Sequence, residues 1–332
     1  MIGCGSIGCR HARNLRGLGA DDLVLYDRDG ERAARLAGEL GFTSVETLDR
    51  GYSEHPEAVL ICAPTSLHLE LAMEALRHGC HLFVEKPLSH SMEGVDEFLR
   101  ELMRRKKLLL VGYNFRFDPL LQTVREWLAE GRAGTVVSAR FHFGSYLPLR
   151  HPWEDYRAGY GAQERLGGGV ILDAIHELDL ALWIFGPPET IYCAGGKYSN
   201  LEIDVEDVAE ILLSYPDKAV SVHLDSVQTP AERWCEFIGT RGQIRADLFA
   251  RTLRYFDSAT REWETVSANS TIDEGYKSEM QHFLDCLNGR AEPAVDGRVA
   301  AESLALAENA KKSMKGRLPI SLSGITEEAW QR

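Results

Sequence analysis

The chain has 332 residues, of which 44% are hydrophobic and 26% charged, values typical of a globular protein with room for two ordinary domains. Its formal net charge of −13 disfavours nucleic acid and anionic lipid as partners, because both are bound mainly through basic surfaces. Without an apolar run near the roughly 20 residues that cross a bilayer, and without a signal-peptide pattern, the sequence predicts a cytoplasmic location. The seven scattered cysteines, never spaced as CxxC, predict reduced, mostly buried thiols and no metal site.

The first 112 residues alternate short apolar runs with amphipathic stretches. Strands joined by helices imply right-handed crossovers, and therefore a doubly wound parallel sheet covered on both faces. The predicted strands cover residues 23–27, 57–63, 81–85 and 108–113, and the predicted helices 28–40, 67–78 and 91–105.

A glycine-rich turn opens the chain and fits the pattern GxGxxG. Glycines there allow backbone to approach a pyrophosphate closely, and the helix that follows supplies oriented N–H donors. Asp27 ends the next strand about 20 residues on, where an acid binds ribose hydroxyls and favours NAD, while Arg28 keeps NADP open. The residues of the turn are Gly3, Cys4, Gly5, Ser6, Ile7 and Gly8.

The strand that should lead into this turn is nearly absent, since only Met1 and Ile2 precede Gly3. Strands usually have about five or six residues, and each buried ladder group left unpaired costs about 1–3 kcal/mol. We therefore expect the true N-terminus to lie upstream of Met1.

A second group of candidate residues follows the next two strands of the predicted sheet. Ligands of open parallel sheets sit beyond the carboxyl ends of the strands, so these residues are expected to contact the cofactor. Lys86 there can meet the nicotinamide and hydrogen-bond a reacting oxygen, although a solvated ion pair with Glu85 is the simpler alternative. For His68, a helix-capping or partly buried role is the alternative. The group comprises Ala63, Pro64, Thr65, His68, Glu85 and Lys86.

From about residue 134 the pattern changes to strand-like runs joined by short turns, which predicts an α+β domain with a large, mostly antiparallel open sheet. We assign residues 1–113 to a dinucleotide-binding domain and 114–332 to a substrate-binding and oligomerisation domain. The runs lie at 135–144, 205–215, 219–227, 233–240 and 252–257, with helices at 169–184, 275–288 and 297–314.

Residues 143–166 are rich in aromatic side chains, which suit the apolar face of a sugar ring. Arginines such as Arg116 and Arg157 can bind a carboxylate or phosphate through two hydrogen bonds. The alternative is that this segment packs the domains together or forms an oligomer interface. The predicted substrate contacts are Asn114, Arg116, Tyr146, Trp153, Tyr156 and Arg157.

Three glycines, 167–169, precede the predicted helix 169–184, in which Asp173 and His176 are three positions apart and share one face. An acid and an imidazole on one face can orient a hydroxyl and exchange its proton. A structural ion pair or helix cap is the alternative for Asp173. The segment HELD lacks the second histidine of a zinc motif, so no metal is predicted.

The motifs together resemble the glucose-fructose oxidoreductase and inositol dehydrogenase family (Gfo/Idh/MocA) over almost the whole chain, through GCGSIG, CAPTSLH, VEKPLS, GYNFRFDP, the triple-glycine helix and YKSEMQHFLDCLNG. The resemblance implies a Rossmann domain, then an open-sheet domain that often mediates dimers or tetramers. It places catalysis on Lys86, Asp173 and His176. Members commonly separate the aspartate and histidine by four positions, whereas the interval here is three.

We therefore expect an NAD(P)-dependent oxidoreductase that transfers a hydride between nicotinamide and a sugar carbinol carbon, with Lys86 and His176 handling the hydroxyl proton. The segment 143–166 resembles members thought to act on surface-glycan or sialic-acid-like sugars. Two alternatives stay open at this stage: an NAD-dependent glycoside hydrolase of the same fold, and a non-catalytic binding or regulatory homologue.

Overall fold

A computed structural model describes residues 1–267 and 270–322 of the chain. The chain divides into two compact units. The first comprises Met1–Asn114 and Gly275–Leu304, and the second comprises Phe115–Glu274 and continues from Ala305. The sequence did not reveal that Gly275–Leu304 belongs with the N-terminal residues. The predicted functional assignment, 1–113 to cofactor and 114–332 to substrate, stays a prediction, because packing alone gives neither unit a role.

The N-terminal part of the chain alternates helices and strands as the sequence predicts. Local signals set the ends: in α2 the Asp29 carboxylate accepts the Arg32 N–H at 3.2 Å, and Gly41 ends the helix in the left-handed conformation. The helices are α1 Ser6–Gly17, α2 Gly30–Leu40, α3 Leu48–Tyr52, α4 His68–Arg77 and α5 Val95–Arg105; the strands are β1 Val24–Leu25, β2 Thr43–Ser44, β3 Ala58–Ile61, β4 His81–Glu85 and β5 Leu109–Gly112.

Ile2 joins the two groups of parallel strands in the first unit. It bridges Tyr26 on one side and Ile61 on the other, both in parallel orientation. The backbone bonds from Ile2 N–H to Leu60 O and from Cys62 N–H to Ile2 O, at 2.8 and 2.7 Å, make it a short central strand. The resulting order, β2-β1-Ile2-β3-β4-β5, is that of a doubly wound dinucleotide-binding sheet and confirms the predicted class. The expectation that the natural chain begins upstream of Met1 stays a prediction.

The rest of the chain carries six helices and nine strands among the described residues. Helix α6 begins with Asp118 as N-cap, its carboxylate accepting the Leu120 N–H at 2.8 Å, and with Pro119 in the first turn. The helices are α6 Pro119–Ala129, α7 Leu147–Arg150, α8 Val170–Asp173, α9 His176–Phe185, α10 Ile272–Leu287 and α11 Gly297–Gly316; the strands are β6 Val136–Gly144, β7 Thr190–Gly196, β8 Val208–Ser214, β9 Ala219–Asp225, β10 Glu232–Gly239, β11 Gly242–Asp247, β12 Thr252–Asp257, β13 Glu262–Ser267 and β14 Ile320–Ser321.

All nine of these strands form one sheet, ordered β13-β12-β11-β10-β6-β9-β8-β7-β14. Neighbours are antiparallel except β6 and β9, which run parallel, so the predicted mostly antiparallel sheet is confirmed. Alternate residues of β6, such as Ala139, Phe141 and Phe143, are buried, and α9 packs against β6 and β9. The second unit therefore buries one face of its sheet under helices.

Two structural expectations need correction. The helix predicted at 169–184 is two helices, because Ala174, at φ −100° and ψ 34°, interrupts it between α8 and α9. Several elements were not predicted: helices α3, α6 and α7 and strands β2, β7, β11, β13 and β14. Strands β2 and β14 have two residues each, and the sequences of β7, β11 and β13, TIYCAGG, GQIRAD and EWETVS, carry too few apolar residues to stand out. The predicted thiols are confirmed: all seven cysteines are free and only Cys9 is not buried. Within the described residues, no helix combines the length and apolar character needed to cross a membrane.

Candidate active site

The glycine turn lies between the central Ile2 and helix α1. Gly3 has φ +95°, and a Cβ atom at this position would lie 2.4 Å from the carbonyl oxygen of Cys62. Only glycine fits such a close approach to the neighbouring strand end. Gly5 precedes α1 in extended conformation without a side-chain cap, and the space beside it is open. The start of this 12-residue helix therefore lacks a side-chain cap and is a suitable place for an anion such as pyrophosphate.

Asp27 follows β1 and is tied to the same turn. Its carboxylate accepts the Cys4 N–H at 2.7 Å and the Asp29 N–H at 2.8 Å. A carboxylate has about four acceptor sites, so it can still receive hydrogen bonds from two ribose hydroxyls. Arg28 beside it is exposed. The structure thus brings together the glycine turn and the acid that the sequence proposed for the adenosine end of the cofactor.

His68 cross-links the two segments that follow β3 and β4. The ring is 1% exposed, with Nδ1 2.8 Å from Pro87 O and Nε2 2.8 Å from Ala63 O. Burial lowers the pKa of His68 from its ordinary value, so the neutral ring donates one N–H to one carbonyl oxygen at a time. This is the buried structural role that the sequence left open. Contact of His68 with the cofactor stays a prediction.

Glu85 is turned into the protein and not toward solvent. It is 6% exposed, and its oxygens accept the Nε2–H of His11 at 2.6 Å and the Lys86 backbone N–H at 3.1 Å. Lys86 itself is only partly buried, and the Lys86–Pro87 peptide bond is cis. Lys86 directly follows the carboxyl end of β4, which is two strands away from Ile2 in the sheet. This is the edge at which doubly wound sheets bind ligands.

Asn114 follows the next strand, β5, and is 1% exposed. Neither its carboxamide oxygen nor its nitrogen has a hydrogen-bond partner within residues 1–267 and 270–322. Buried carboxamides are normally hydrogen-bonded, so this group fits a bound cofactor or substrate at that edge. The geometry is consistent with its predicted role as a ligand-binding residue.

Asp173 lies in the second unit, at the end of α8, and is held from two directions. Its Oδ2 accepts a hydrogen bond from Arg150 Nη1 and its Oδ1 accepts one from the Tyr160 hydroxyl. Arg150 also donates to the carbonyl oxygen of Ser145 at 3.1 Å. A carboxylate that is hydrogen-bonded by a guanidinium and a phenol is fixed in orientation.

His176 begins α9 and is 5% exposed, with its ring 4.6 Å from the ring of Phe115. Because Ala174 interrupts the helix, Asp173 and His176 belong to two helices, and the single-face argument from their spacing does not apply. Asp173 and His176 are nevertheless three positions apart in sequence, at the end of α8 and the start of α9. Their assigned catalytic roles stay predictions.

The triple glycine ends in contact with a buried carboxylate. Gly169 has φ +104°, and a Cβ there would lie 2.3 Å from Glu206 Oε1. Glu206 is 8% exposed and accepts the Ile171 N–H at 3.2 Å. Burial raises the pKa of Glu206, an effect that Lys311 opposes. Glycine is therefore required where the chain passes over Glu206 into α8 and Asp173.

The aromatic segment 143–166 contains both exposed rings and residues that pair with neighbouring side chains. Trp153 is 71% exposed and Tyr146 is 36% exposed, so both present free ring surface. Arg157 pairs with Asp155 and Glu202, and Tyr156 accepts the Glu202 N–H at 3.2 Å. These two residues stabilise the segment itself in this structure, and substrate binding by them stays a prediction.

Arg116 is 8% exposed and makes two hydrogen bonds to Asp179, at 2.8 and 2.9 Å. Arg116 was expected to bind a carboxylate through two hydrogen bonds, and in this structure that carboxylate is the side chain of Asp179. Sequence reasoning missed Arg150, Tyr160 and Glu206 as residues around Asp173. Tyr160 was part of the aromatic segment, but its hydroxyl partner is set by tertiary structure alone.

A sheet of this order, with a glycine turn and an acid after the second strand, defines a dinucleotide-binding protein. Residues 1–113 match the family model described as "Oxidoreductase family, NAD-binding Rossmann fold", and residues 121–245 match the "GFO/IDH/MocA C-terminal domain". The chain therefore belongs to the Gfo/Idh/MocA family and is an NAD-binding oxidoreductase. The resemblance read from the motifs is confirmed.

Full-length relatives and solved structures agree with this family. The chain is similar to myo-inositol 2-dehydrogenase of Thermotoga maritima, with 28% identity and 98% of each chain covered. It is 24% identical to 2,7-anhydro-N-acetylneuraminate hydratase of Mediterraneibacter gnavus, covering 99% of this chain and 97% of the relative. The fold matches an Agrobacterium radiobacter oxidoreductase solved with NAD+, L-tartaric acid and magnesium, at TM-score 0.84, 22% identity and 98% coverage of both.

Proposed function

We propose that this protein transfers a hydride between the nicotinamide of NAD and a hydroxyl-bearing carbon of a sugar or cyclic polyol. The observation that carries the proposal is the set of groups along one edge of the parallel sheet: the glycine turn, Asp27, Lys86 and Asn114. The similarity to myo-inositol 2-dehydrogenase over 98% of both chains supports a polyol-like substrate.

The first unit supplies the cofactor contacts in this proposal. The N–H groups at the start of α1 bind the pyrophosphate, and the acceptor sites remaining on Asp27 bind the ribose hydroxyls. The bound nicotinamide supplies the hydride acceptor or donor. Lys86 hydrogen-bonds the reacting oxygen and takes or returns its proton, and Asn114 orients the ligand.

The second unit supplies polar groups for the substrate. Asp173, fixed by Arg150 and Tyr160, accepts a hydrogen bond from a substrate hydroxyl and orients it. His176 is the candidate in this unit for hydrogen-bonding a substrate hydroxyl. The exposed rings of Trp153 and Tyr146 offer stacking surfaces for the apolar side of a pyranose or cyclitol ring.

The open side of the nine-stranded sheet is the surface we assign to self-association as a dimer or tetramer. Tyr192 and Leu212, on neighbouring strands β7 and β8, are 38% and 47% exposed. Exposed apolar residues on a broad sheet face are typical of subunit interfaces. Size-exclusion chromatography with light scattering, on the full chain, measures the subunit count directly.

A second candidate function follows from the hydratase relative, whose named reaction adds water. In a reaction of that kind the cofactor shows no net change at the end of each turnover. The two functions are separated by following nicotinamide absorbance and product formation together, with NAD and NADP, over a panel of inositols, hexoses, nucleotide sugars and nonulosonic acids. Dehydrogenase activity gives equal amounts of reduced cofactor and oxidised sugar, whereas product without absorbance change supports the second candidate.

A further inference from the structure

A buried cluster of three ionisable side chains lies in the first unit and has no part in the chemistry proposed above. His11 belongs to α1, Glu85 ends β4, and Glu279 belongs to α10. One nitrogen or carboxylate oxygen from each lies within 4.8 Å of those of the other two. His11 and Glu279 are fully buried, and Glu85 is 6% exposed.

The hydrogen bonds of this cluster are unequally distributed. A carboxylate only accepts, so the 2.6 Å contact assigns the Nε2–H of His11 as donor to Glu85. The second oxygen of Glu85 accepts the Lys86 N–H. In contrast, neither oxygen of Glu279 is hydrogen-bonded by any residue of the described ranges, 1–267 and 270–322.

An ionised carboxylate in this position is strongly disfavoured. Burial without a partner costs several kcal/mol for a charged group, and a second carboxylate nearby adds repulsion. Buried carboxyl groups in such surroundings are normally neutralised by a proton or paired with a cation. A proton on Glu279 removes its charge and leaves the His11–Glu85 hydrogen bond intact. The Nδ1 atom of His11 has no hydrogen-bond partner among the described residues, so a cation held by this cluster is the competing outcome that the experiment below separates.

We propose that Glu279 carries a proton at neutral pH and donates it to Glu85, so that His11, Glu85 and Glu279 form one hydrogen-bonded cluster. A small rotation of the Glu279 side chain, or one bridging water, spans the separation. The cluster fixes Glu85 and, through its bond to the Lys86 N–H, the start of the segment that carries the lysine. Glu279 is thus a positioning residue for Lys86.

The other groups around Glu279 are consistent with this state. Cys62, after β3, is a neutral thiol, since burial raises its pKa well above the ordinary value. Arg10 on α1 is engaged 4.5 Å from the ring centre of Tyr276, three positions before Glu279 on α10. Burial and the charge of Glu85 raise the pKa of Glu279 well above its ordinary value.

The raised pKa gives a signed pH dependence. The contribution of Glu279 to stability is complete below its unfolded pKa, near 4.5, and is lost as the pH rises toward its folded pKa, because only the folded chain then holds the proton. The variant E279Q keeps a donor and has no proton to lose. Its melting temperature at pH 8 should exceed that of the wild type by about 2–4 °C or more, with the difference shrinking toward pH 5.

The control for this measurement is E70Q, at an exposed glutamate of α4, which should follow the wild-type pH dependence. Infrared spectroscopy of the intact protein at pH 7–8 should show a protonated-carboxyl C=O band that E279Q lacks and E70Q retains. A lower melting temperature for E279Q at pH 8, or the absence of that band, overturns the proposal. A stoichiometric divalent metal whose chelation destabilises the wild type and not E279Q also overturns it.

The positioning role is tested by turnover, and this part rests on the proposed function. E279L should lower kcat by about 10-fold or more with little change in the Kd for NAD, because small displacements of a reacting group are costly. E279Q should recover most of the loss, and E279M serves as a second variant if E279L does not fold. Wild-type kcat in both apolar variants refutes the positioning role. If no substrate is turned over, the proposed function fails, while the infrared band still decides the protonation state.

Discussion

Replacing Gly169 by alanine should destabilise the second unit well beyond the cost of its backbone conformation. Gly169 has φ +104° and ψ 147°, a region that only glycine adopts readily. A Cβ there meets both oxygens of Glu206, at 2.3 and 2.5 Å. Gly186 is a matched control, since it has φ +74° and ψ −169° with nothing within 4 Å of the point that a Cβ would occupy.

The magnitude follows from this pairing. Backbone strain of this kind costs about 1–3 kcal/mol and should be shared by G169A and G186A. In G169A the buried Glu206 must also move and lose its hydrogen bond from the Ile171 N–H, which adds about 1–3 kcal/mol. We therefore expect G169A to be less stable than G186A by about that second amount, or about 2–10 °C in melting temperature for a unit of this size.

Scanning calorimetry of both variants and the wild type, at one pH and ionic strength, measures this difference. Because the chain has two compact units, each transition is fitted separately and only the affected one is compared. Equal losses of stability in G169A and G186A would show that Glu206 does not constrain Gly169, and the argument for the triple glycine would fail.

Two further predictions concern the cofactor and the substrate groups. D27N should raise the Kd for NAD by about 10-fold and reduce the preference for NAD over NADP, since the amide is a weaker acceptor and does not repel the extra phosphate of NADP. Fluorescence titration measures both affinities, with D29N as the control. Unchanged affinity for both cofactors in D27N removes Asp27 from the site. Y160F removes the hydrogen bond from Tyr160 to Asp173 and should lower kcat by about 10-fold, because a hydrogen bond to a charged group is worth about 1.5–3 kcal/mol. The control is Y198F, because the Tyr198 hydroxyl donates to Gly195 O at 2.9 Å. Equal kcat in both variants would count against Asp173 as a substrate-orienting group.

Much of the fold was predictable because periodicity and turn chemistry are local. Strand β4 was predicted at its exact bounds, since an apolar run between a glycine-containing turn and a proline leaves little freedom. The interruption at Ala174 was not predictable, because LDAIHELDL reads as one helical repeat. Strand β7 was not predictable either, because it pairs with β8 through backbone hydrogen bonds and its small residues give no strand signal in the sequence.

The candidate site was predictable where a sequence motif determines both the residue type and its position in the sheet. The glycine turn and Asp27 follow neighbouring segments of the sheet, Ile2 and β1, so the hydrogen bond from the Cys4 N–H to Asp27 follows from strand order. The partners of Asp173 were not predictable, because Arg150 and Tyr160 reach it from 23 and 13 residues away along an irregular segment. The same holds for Glu279, which is 194 residues from Glu85 in sequence but clusters with it in the structure.

The central claim is that Lys86 takes part in the chemical step of NAD-dependent hydride transfer. The most direct test compares kcat and the Kd for NAD in K86M, wild type and K277M, whose lysine is exposed on α10. K86M should lose about 100-fold or more in kcat, as expected for removal of a proton-transferring group, with NAD affinity within about 3-fold of wild type. Wild-type turnover in K86M, with the same substrate and pH, would contradict the account.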